Sequence, residues 1–239
     1  MKMCPKGFTV DLCKPHLFQV GYLGEHYDGW VHQPIITKES PRFFQSEILE
    51  WVTRSVWWVV PVIWIPMACW CISISIRMGH SSSNVALMVV FGIFVWTFLE
   101  YLLHRFLFHF KTKTYWGNTI HYLLHGLHHK FPMDRFRLVM PPLATALFSL
   151  LFWHLFHFVG TPSTAPAVFG GTLLGYVIYD LTHYYLHHGQ PSTLLSKSLK
   201  KYHLSHHFKV QDVGFGITST LWDIVFGTLP PIQVIEKKE

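Results

Sequence analysis

Charge is what these 239 residues have little of: only 13% are Asp, Glu, Lys or Arg, against about 25% in ordinary soluble domains. Half of the chain is hydrophobic, so the missing charge points towards lipid. Cysteine is scarce as well. Cys4, Cys13, Cys69 and Cys71 form no Cys-x-x-Cys pair, which argues against a disulfide framework or a thiolate zinc finger. No glycine-rich phosphate loop occurs, no Gly-x-Ser-x-Gly, no His-Glu-x-x-His and no Glu-x-x-His pair of the kind that builds soluble di-iron bundles. The net charge of +6 does not read as nucleic-acid binding, because the basic residues are spread among apolar segments in the manner of a membrane protein's cytosolic side. The start, Met1 to Gly7, runs into Asp11 and Lys14 before an apolar core develops, so a cleavable signal peptide is not expected.

Long uncharged runs stand where the charge is missing. Ser55 to Ile76 holds 22 residues without a charge; as a helix it would extend about 33 Å and cross a hydrocarbon core. Pro61 and Pro66 are tolerated there if neighbouring helices satisfy the freed carbonyls. A second run goes from near Asn84 to Leu99 and ends in Glu100 and His104. Two more, Pro141 to Gly160 and Ala165 to about Asp180, flank a short turn with Pro162 and Pro166, and so form a hairpin. The expected fold is all-α: an integral membrane protein with four transmembrane helices and a cytosolic helical cap. Its parts are an N-terminal cytosolic segment 1–54, a four-helix region 55–188 containing a first histidine segment 104–140, and a C-terminal cap segment 189–239. Segment 104–140 carries six basic residues, Arg105, Lys111, Lys113, Lys130, Arg135 and Arg137, and the tail after His188 carries six more, whereas the opposite loops hold only Arg77. By the positive-inside rule both termini and the histidine-rich segments face the cytosol. A soluble helical core would need polar faces that these runs lack.

Histidine is the residue in excess, with 18 in the chain, and its spacing repeats. In the first half Glu100 precedes His104 and His109, and 16 residues after His109 comes His125, followed by His128 and His129. In the second half Asp180 precedes His183 and His187, and 16 residues after His187 comes His203, followed by His206 and His207. Spacings of three and four place side chains on one helix face, so each His-x-x-His-His can turn its first and third members, and often its second, towards one point. His104 and His109 are five apart, which predicts that the helix ends or bulges there. These ten imidazoles suffice for two metal ions at five each, and imidazole suits iron, zinc, copper and nickel. The cap is therefore expected to hold a histidine-rich dimetal site. Ligating histidines usually donate their second nitrogen to a carboxylate or carbonyl, which is the role expected of Glu100 and Asp180. His154 and His157 lie far along the third run, and His16, His26, His32 and His80 are isolated; His121 and His188, each beside a motif, are left out as well.

With these residues in view the chain resembles the membrane fatty acid hydroxylase and sterol desaturase superfamily, and within it the fatty acid 2-hydroxylases of sphingolipid acyl chains. The resemblance is carried by His104-Arg-Phe-Leu-Phe-His109, His125-Gly-Leu-His-His129, His183-Tyr-Tyr-Leu-His187 and Tyr202-His-Leu-Ser-His-His207. The flanks Tyr115-Trp-Gly-Asn118, Lys130-Phe-Pro-Met-Asp134 and Leu221-Trp-Asp-Ile-Val-Phe-Gly227, with Trp30 to Pro34 and Pro41 to Gln45, are similar to the plant members. The resemblance implies location in the endoplasmic reticulum membrane and two metals on the ten histidines, iron in the active enzyme with zinc able to replace it on purification. It also implies dioxygen as co-substrate and a hydroxyl placed beside the acyl carbonyl of a long-chain lipid or ceramide. Nothing before the first run matches the fused His-Pro-Gly-Gly haem domain of fungal and animal members, so the electrons are expected from a separate cytochrome b5. Its expected docking face comprises Arg105, Lys111, Lys113, Lys130, Arg135, Arg137, Lys197, Lys200 and Lys201. Lys237 and Lys238 stand at the wrong offset for a dilysine retrieval signal.

Two alternatives stay open on the sequence. Sterol desaturation or methyl oxidation uses the same kind of oxidant. A zinc transporter or zinc-stabilised membrane protein also shows histidine clusters, although transport calls for polar ligands within the spans, whereas here they gather at one end.

Overall fold

The computed structural model describes residues 9–37 and 39–231; Met1 to Gly7, with Cys4, and the tail with Lys237 and Lys238 lie outside the described residues. Every regular element among the described residues is helical. Two short helices, α1 (Tyr27–Val31) and α2 (Glu47–Val52), precede the long α3 (Val59–Arg77) and α4 (Ser82–Leu102). A π-helical turn, Leu103–Phe108, prolongs α4. Next come α5 (Tyr115–His121), a second π-turn (Tyr122–Gly126) and α6 (Leu127–Lys130), then α7 (Pro142–Val159), α8 (Ala165–His188), α9 (Leu194–Phe208) and α10 (Leu221–Val225). Hydroxyls cap the entries: Ser81 accepts from Asn84 N at 3.3 Å and Thr193 from Ser196 N at 3.2 Å, each satisfying one of a helix's unpaired first amides. Pro142 opens α7, where a missing N–H costs nothing.

Among the described residues three helices are long and apolar enough to cross a membrane: α3, α4 with its π-turn (Ser82–Phe108), and α7. The fourth expected span, α8, has 24 residues and so reaches about 36 Å, but it carries Thr172, Asp180, Thr182 and three histidines and is not among the three. It is the central helix, packed between α3 and α4. Glycine makes this approach close: a Cβ at Gly92 would lie 2.1 Å from the Val168 carbonyl, and one at Gly171 would lie 2.3 Å from that of Val89. Small residues at such a crossing let backbones meet where lipid gives no hydrophobic drive. The Ser75 hydroxyl accepts from Ala167 N at 3.0 Å and ties α3 to the start of α8. In α7, by contrast, only 6% of the apolar window is buried.

A second core, built from Leu17, Val20, Tyr27, Val31, Phe43, Tyr122, Leu127 and Phe131, fastens the N-terminal segment over α5 and α6. Asn118 Nδ2 donates to the Gly24 carbonyl at 3.0 Å, and the Lys130 ammonium donates to the carbonyls of Trp30 at 2.8 Å and Gln33 at 2.7 Å. This strap runs across the helix ends that carry the histidines.

Candidate metal centre

The five-residue step from His104 to His109 is taken up by the π-turn after α4, where His109 N donates to the His104 carbonyl at 3.1 Å. One extra residue is absorbed there, and the two rings stay on one side, centroids 4.9 Å apart. His125 sits in the second π-turn, His128 and His129 in α6, His183 and His187 at the end of α8, and His203, His206 and His207 in the last turns of α9.

These ten side chains form two groups whose nitrogens lie within 4.8 Å of one another in each: His104, His109, His125, His129 and His206, and His128, His183, His187, His203 and His207. Membership follows the repeat with one exchange. Each His-x-x-His-His gives its first and third histidines, one helical turn apart, to the group of its own half, and the middle one crosses to the other. The first and third members of each motif thus share one point as the spacing predicts, and the second, which the spacing also allowed there, joins the other group.

The geometry fits a cation. Nε2 atoms meet tip to tip at 3.1 Å for His104 with His125, 3.0 Å for His129 with His109, 3.0 Å for His206 with His109, 2.8 Å for His187 with His203 and 3.1 Å for His207 with His203. The Nε2 atoms of His128 and His183 are buried without a hydrogen-bond partner among the described residues. Imidazole nitrogens about 2.0–2.1 Å from one ion, at right angles, stand about 3 Å apart. Burial holds His125, His129, His203, His206 and His207 well below the ordinary histidine range, and neighbouring imidazoles push the same way. The rings are thus neutral, the form that binds metal.

Backbone carbonyls orient two of them: the Phe215 carbonyl accepts from His104 Nδ1 at 2.6 Å and the Val213 carbonyl from His206 Nδ1 at 2.8 Å. The loop that presents these carbonyls is pinned by two buried acids. Asp223 accepts from Phe215 N at 3.0 Å and Gly216 N at 2.8 Å, and Glu100 accepts from Thr218 N at 3.0 Å and its hydroxyl at 2.7 Å. Glu100 therefore reaches His104 through the loop rather than directly. Asp180 accepts from Met140 N at 3.1 Å and Tyr176 OH at 3.0 Å, joining α8 to the entry of α7. Asp223 carries no metal-like spacing in the sequence; the lone acid inside the apolar run Leu221 to Phe226 was its one signal.

Of the histidines set aside, His32 packs against the first group, 6.2 Å from the His109 ring and 5.1 Å from that of His129. His121 bonds Tyr27 OH at 2.6 Å. His154 and His157 stay on α7, away from both groups. Among the basic residues assigned to a docking face, Lys130 and Arg137 are buried, 3% and 8% exposed, and cannot belong to it.

A cavity of about 290 Å³ opens beside the histidines, lined by His125, His128 and His183 and running between α7 and α8 along Leu147, Phe148, Phe152, Phe169 and Leu173. Such an apolar slot ending on a polar cluster accepts a chain of methylenes with one functional end.

Residues 89–228 match the model of the fatty acid hydroxylase family. The chain is 63% identical to dihydroceramide fatty acyl 2-hydroxylase FAH1 of Arabidopsis thaliana, over 99% of this chain and 100% of that one. It is 58% identical to FAH2 of the same plant, over the same shares. A solved structure, full-length scs7p with only its hydroxylase domain visible, superposes with a TM-score of 0.88 at 38% identity, covering 93% of this chain and 86% of that one.

Proposed function

Because this chain belongs to the fatty acid hydroxylase family, we propose that it hydroxylates the carbon beside the acyl carbonyl of long-chain dihydroceramides. One atom of dioxygen replaces a hydrogen on that carbon. The other leaves as water, with two electrons and two protons supplied. The observation that carries this reading is that histidines of both five-membered groups line one apolar cavity. Two metals would be held by His104, His109, His125, His129 and His206 on one side and by His128, His183, His187, His203 and His207 on the other, and would supply the activation of dioxygen. Zinc has no redox chemistry, so iron is the working metal of this proposal, and zinc is a competitor for the same nitrogens.

The chain's own residues do the rest. Phe215 and Val213 carbonyls fix the His104 and His206 tautomers, which keeps Nε2 free for the metal. Leu147, Phe148, Phe152 and Phe169 exclude water and hold the tail. A single methylene in an apolar slot is worth only ~1–3 kcal/mol, so chain length is loosely selected. The oxidised position is set by how the polar end is held.

The proposal places α8 as a fourth span beside α3, α4 and α7, within a region 55–188, in the endoplasmic reticulum membrane. Segments 1–54 and 189–239 and the histidine centre then lie on the cytosolic side as a cap. A separate cytochrome b5 supplies electrons. Lipid analysis after expression in a host without its own 2-hydroxylase tests the reaction: 2-hydroxy acyl ceramide is expected with the wild type and none with His206→Ala. Mixed oxidation positions, or a sterol product, would overturn it.

A further inference from the structure

Residues 221–231 contain one charge, Asp223, and it is buried. Around it Leu221, Ile224, Val225, Phe226 and Leu229 are each between 42% and 60% exposed. Single apolar residues on a surface need no account, whereas a contiguous group of them marks a place that meets something other than water.

What covers this group follows from where it lies. Trp222 Nε1 donates to the Thr97 hydroxyl at 3.0 Å, the Trp222 ring packs on Phe94 at 5.8 Å and on Phe98 at 4.7 Å, and the Phe226 ring stacks on Tyr101 at 5.2 Å. At 100° per residue these positions stand opposite Gly92 and Trp96, which meet α8. α10 and the turn after it are thus laid along the outer face of α4. The apolar part of α4 begins after Asn84, and a hydrocarbon core takes roughly 20 helical residues, which carries it to the neighbourhood of His104. Phe94 to Tyr101 then lie inside the leaflet next to the histidines, and the lipid that surrounds the exposed Phe94 also surrounds the group beside it.

The same segment reaches the metal centre from its buried side. Asp223 accepts from Phe215 N and Gly216 N, the Thr228 hydroxyl donates to Asp223 at 2.7 Å, and the Thr228 carbonyl accepts from Gly214 N at 2.8 Å. Both ends of the segment therefore grip the loop whose Phe215 and Val213 carbonyls orient His104 and His206. We propose that residues 221–229 are a lipid-seated latch: their apolar side inserts among the acyl chains of that leaflet, and the seat holds the loop behind the first histidine group. The inference rests on α4 crossing the bilayer.

The test uses the metal-loaded protein in phosphatidylcholine nanodiscs, with Cys4, Cys13 and Cys69 replaced by alanine and the buried Cys71 retained. Single cysteines at Ile224, at the exposed Phe91 of α4 and at the exposed Lys197 of α9 carry a bimane, and phospholipids with a nitroxide on the acyl chain quench it. Quenching at Ile224 is expected to approach that at Phe91 and to exceed that at Lys197 about threefold, because interfacial segments sit ~5–10 Å into the acyl boundary. If Phe91 is quenched and Ile224 is not, the lipid seat is overturned, and aqueous iodide then tells exposure to water from cover by a protein. If neither is quenched, the bilayer crossing of α4 falls with it. Ile224→Glu with Val225→Glu unseats the segment through two exposed side chains and leaves Asp223 in place. A chelator is expected to strip its metal about tenfold faster, as for the loss of an outer partner, while Ile224→Phe with Val225→Phe keeps the seat and retains metal as the wild type does. Wild-type retention in the glutamate pair would overturn the link to the loop, as would equal loss in the phenylalanine pair.

Discussion

His128 and His206 hold the same place in their motifs and serve the group of the opposite half. Replacing either by alanine is expected to abolish hydroxylation and bring metal below two ions per chain by elemental analysis, with membrane insertion unchanged. His154→Ala and His157→Ala should stay near wild type, and His157 already has a local partner in the Trp153 carbonyl at 2.8 Å. Full activity in both His128→Ala and His206→Ala would sink the ligand assignment. Asp223→Ala removes the acceptor that holds Phe215 and Gly216, and through them the carbonyl on His104; metal affinity should fall about 10–100-fold, as such outer partners typically dictate, measured by chelator competition. The ten histidines that the structure gathers into two groups could be picked out because helical spacing is local. Arg137, Lys130 and Asp223 could not, since their burial depends on Glu50, Trp30 and a loop to which sequence spacing gives no pointer. Lys130 shows the cost of such placement: burial pulls its ammonium down to about 8.

At the level of elements, the π-turn Leu103–Phe108 is an α-turn with one residue added, and Phe106 within it is exposed. Deleting Phe106 should restore four-residue spacing between His104 and His109 and retain much of the metal, whereas inserting an alanine beside it should turn His109 away and lose it. Equal loss in both variants would show that the π-turn does more than absorb a residue. The crossing of α4 and α8 makes a second demand. Gly92→Ala sets a methyl against the Val168 carbonyl, while Gly29 has nothing within 4 Å of its Cβ position. Overpacking of this kind costs ~1–3 kcal/mol, so Gly92→Ala should lower the thermal midpoint in detergent and Gly29→Ala should not. The bulge after His104 could be read from the five-residue step, and α3, α4 and α7 from their uncharged runs. The central position of α8 could not, because hydropathy records how apolar a run is and not which neighbours cover its polar residues.

For the molecule as a whole, the basic face that remains after Lys130 and Arg137 are removed is smaller and more exposed, and Lys111 and Lys113 are already paired with Asp212 at 3.2 Å and Glu25 at 3.6 Å. Lys197 and Lys201 stand exposed and one turn apart on α9. Complementary charge acts chiefly on association rate, so Lys197→Glu with Lys201→Glu should slow turnover at limiting cytochrome b5 and weaken its salt dependence, with metal content unchanged. Normal turnover under those conditions would move the docking face elsewhere.

The exchange of middle histidines also bears on how the protein is made. The first half can offer four nitrogens once His129 has left the ribosome, but the fifth comes from His206, which trails its contact His109 by 97 residues. The second half in turn waits for nothing upstream except correct docking of α6, since His128 is already synthesised. Neither ion can gain its full ligand set until almost the whole chain has been translated and the two halves have met, so metal acquisition reports completed assembly, and a chain truncated before α9 should emerge from the translocon without either complete site.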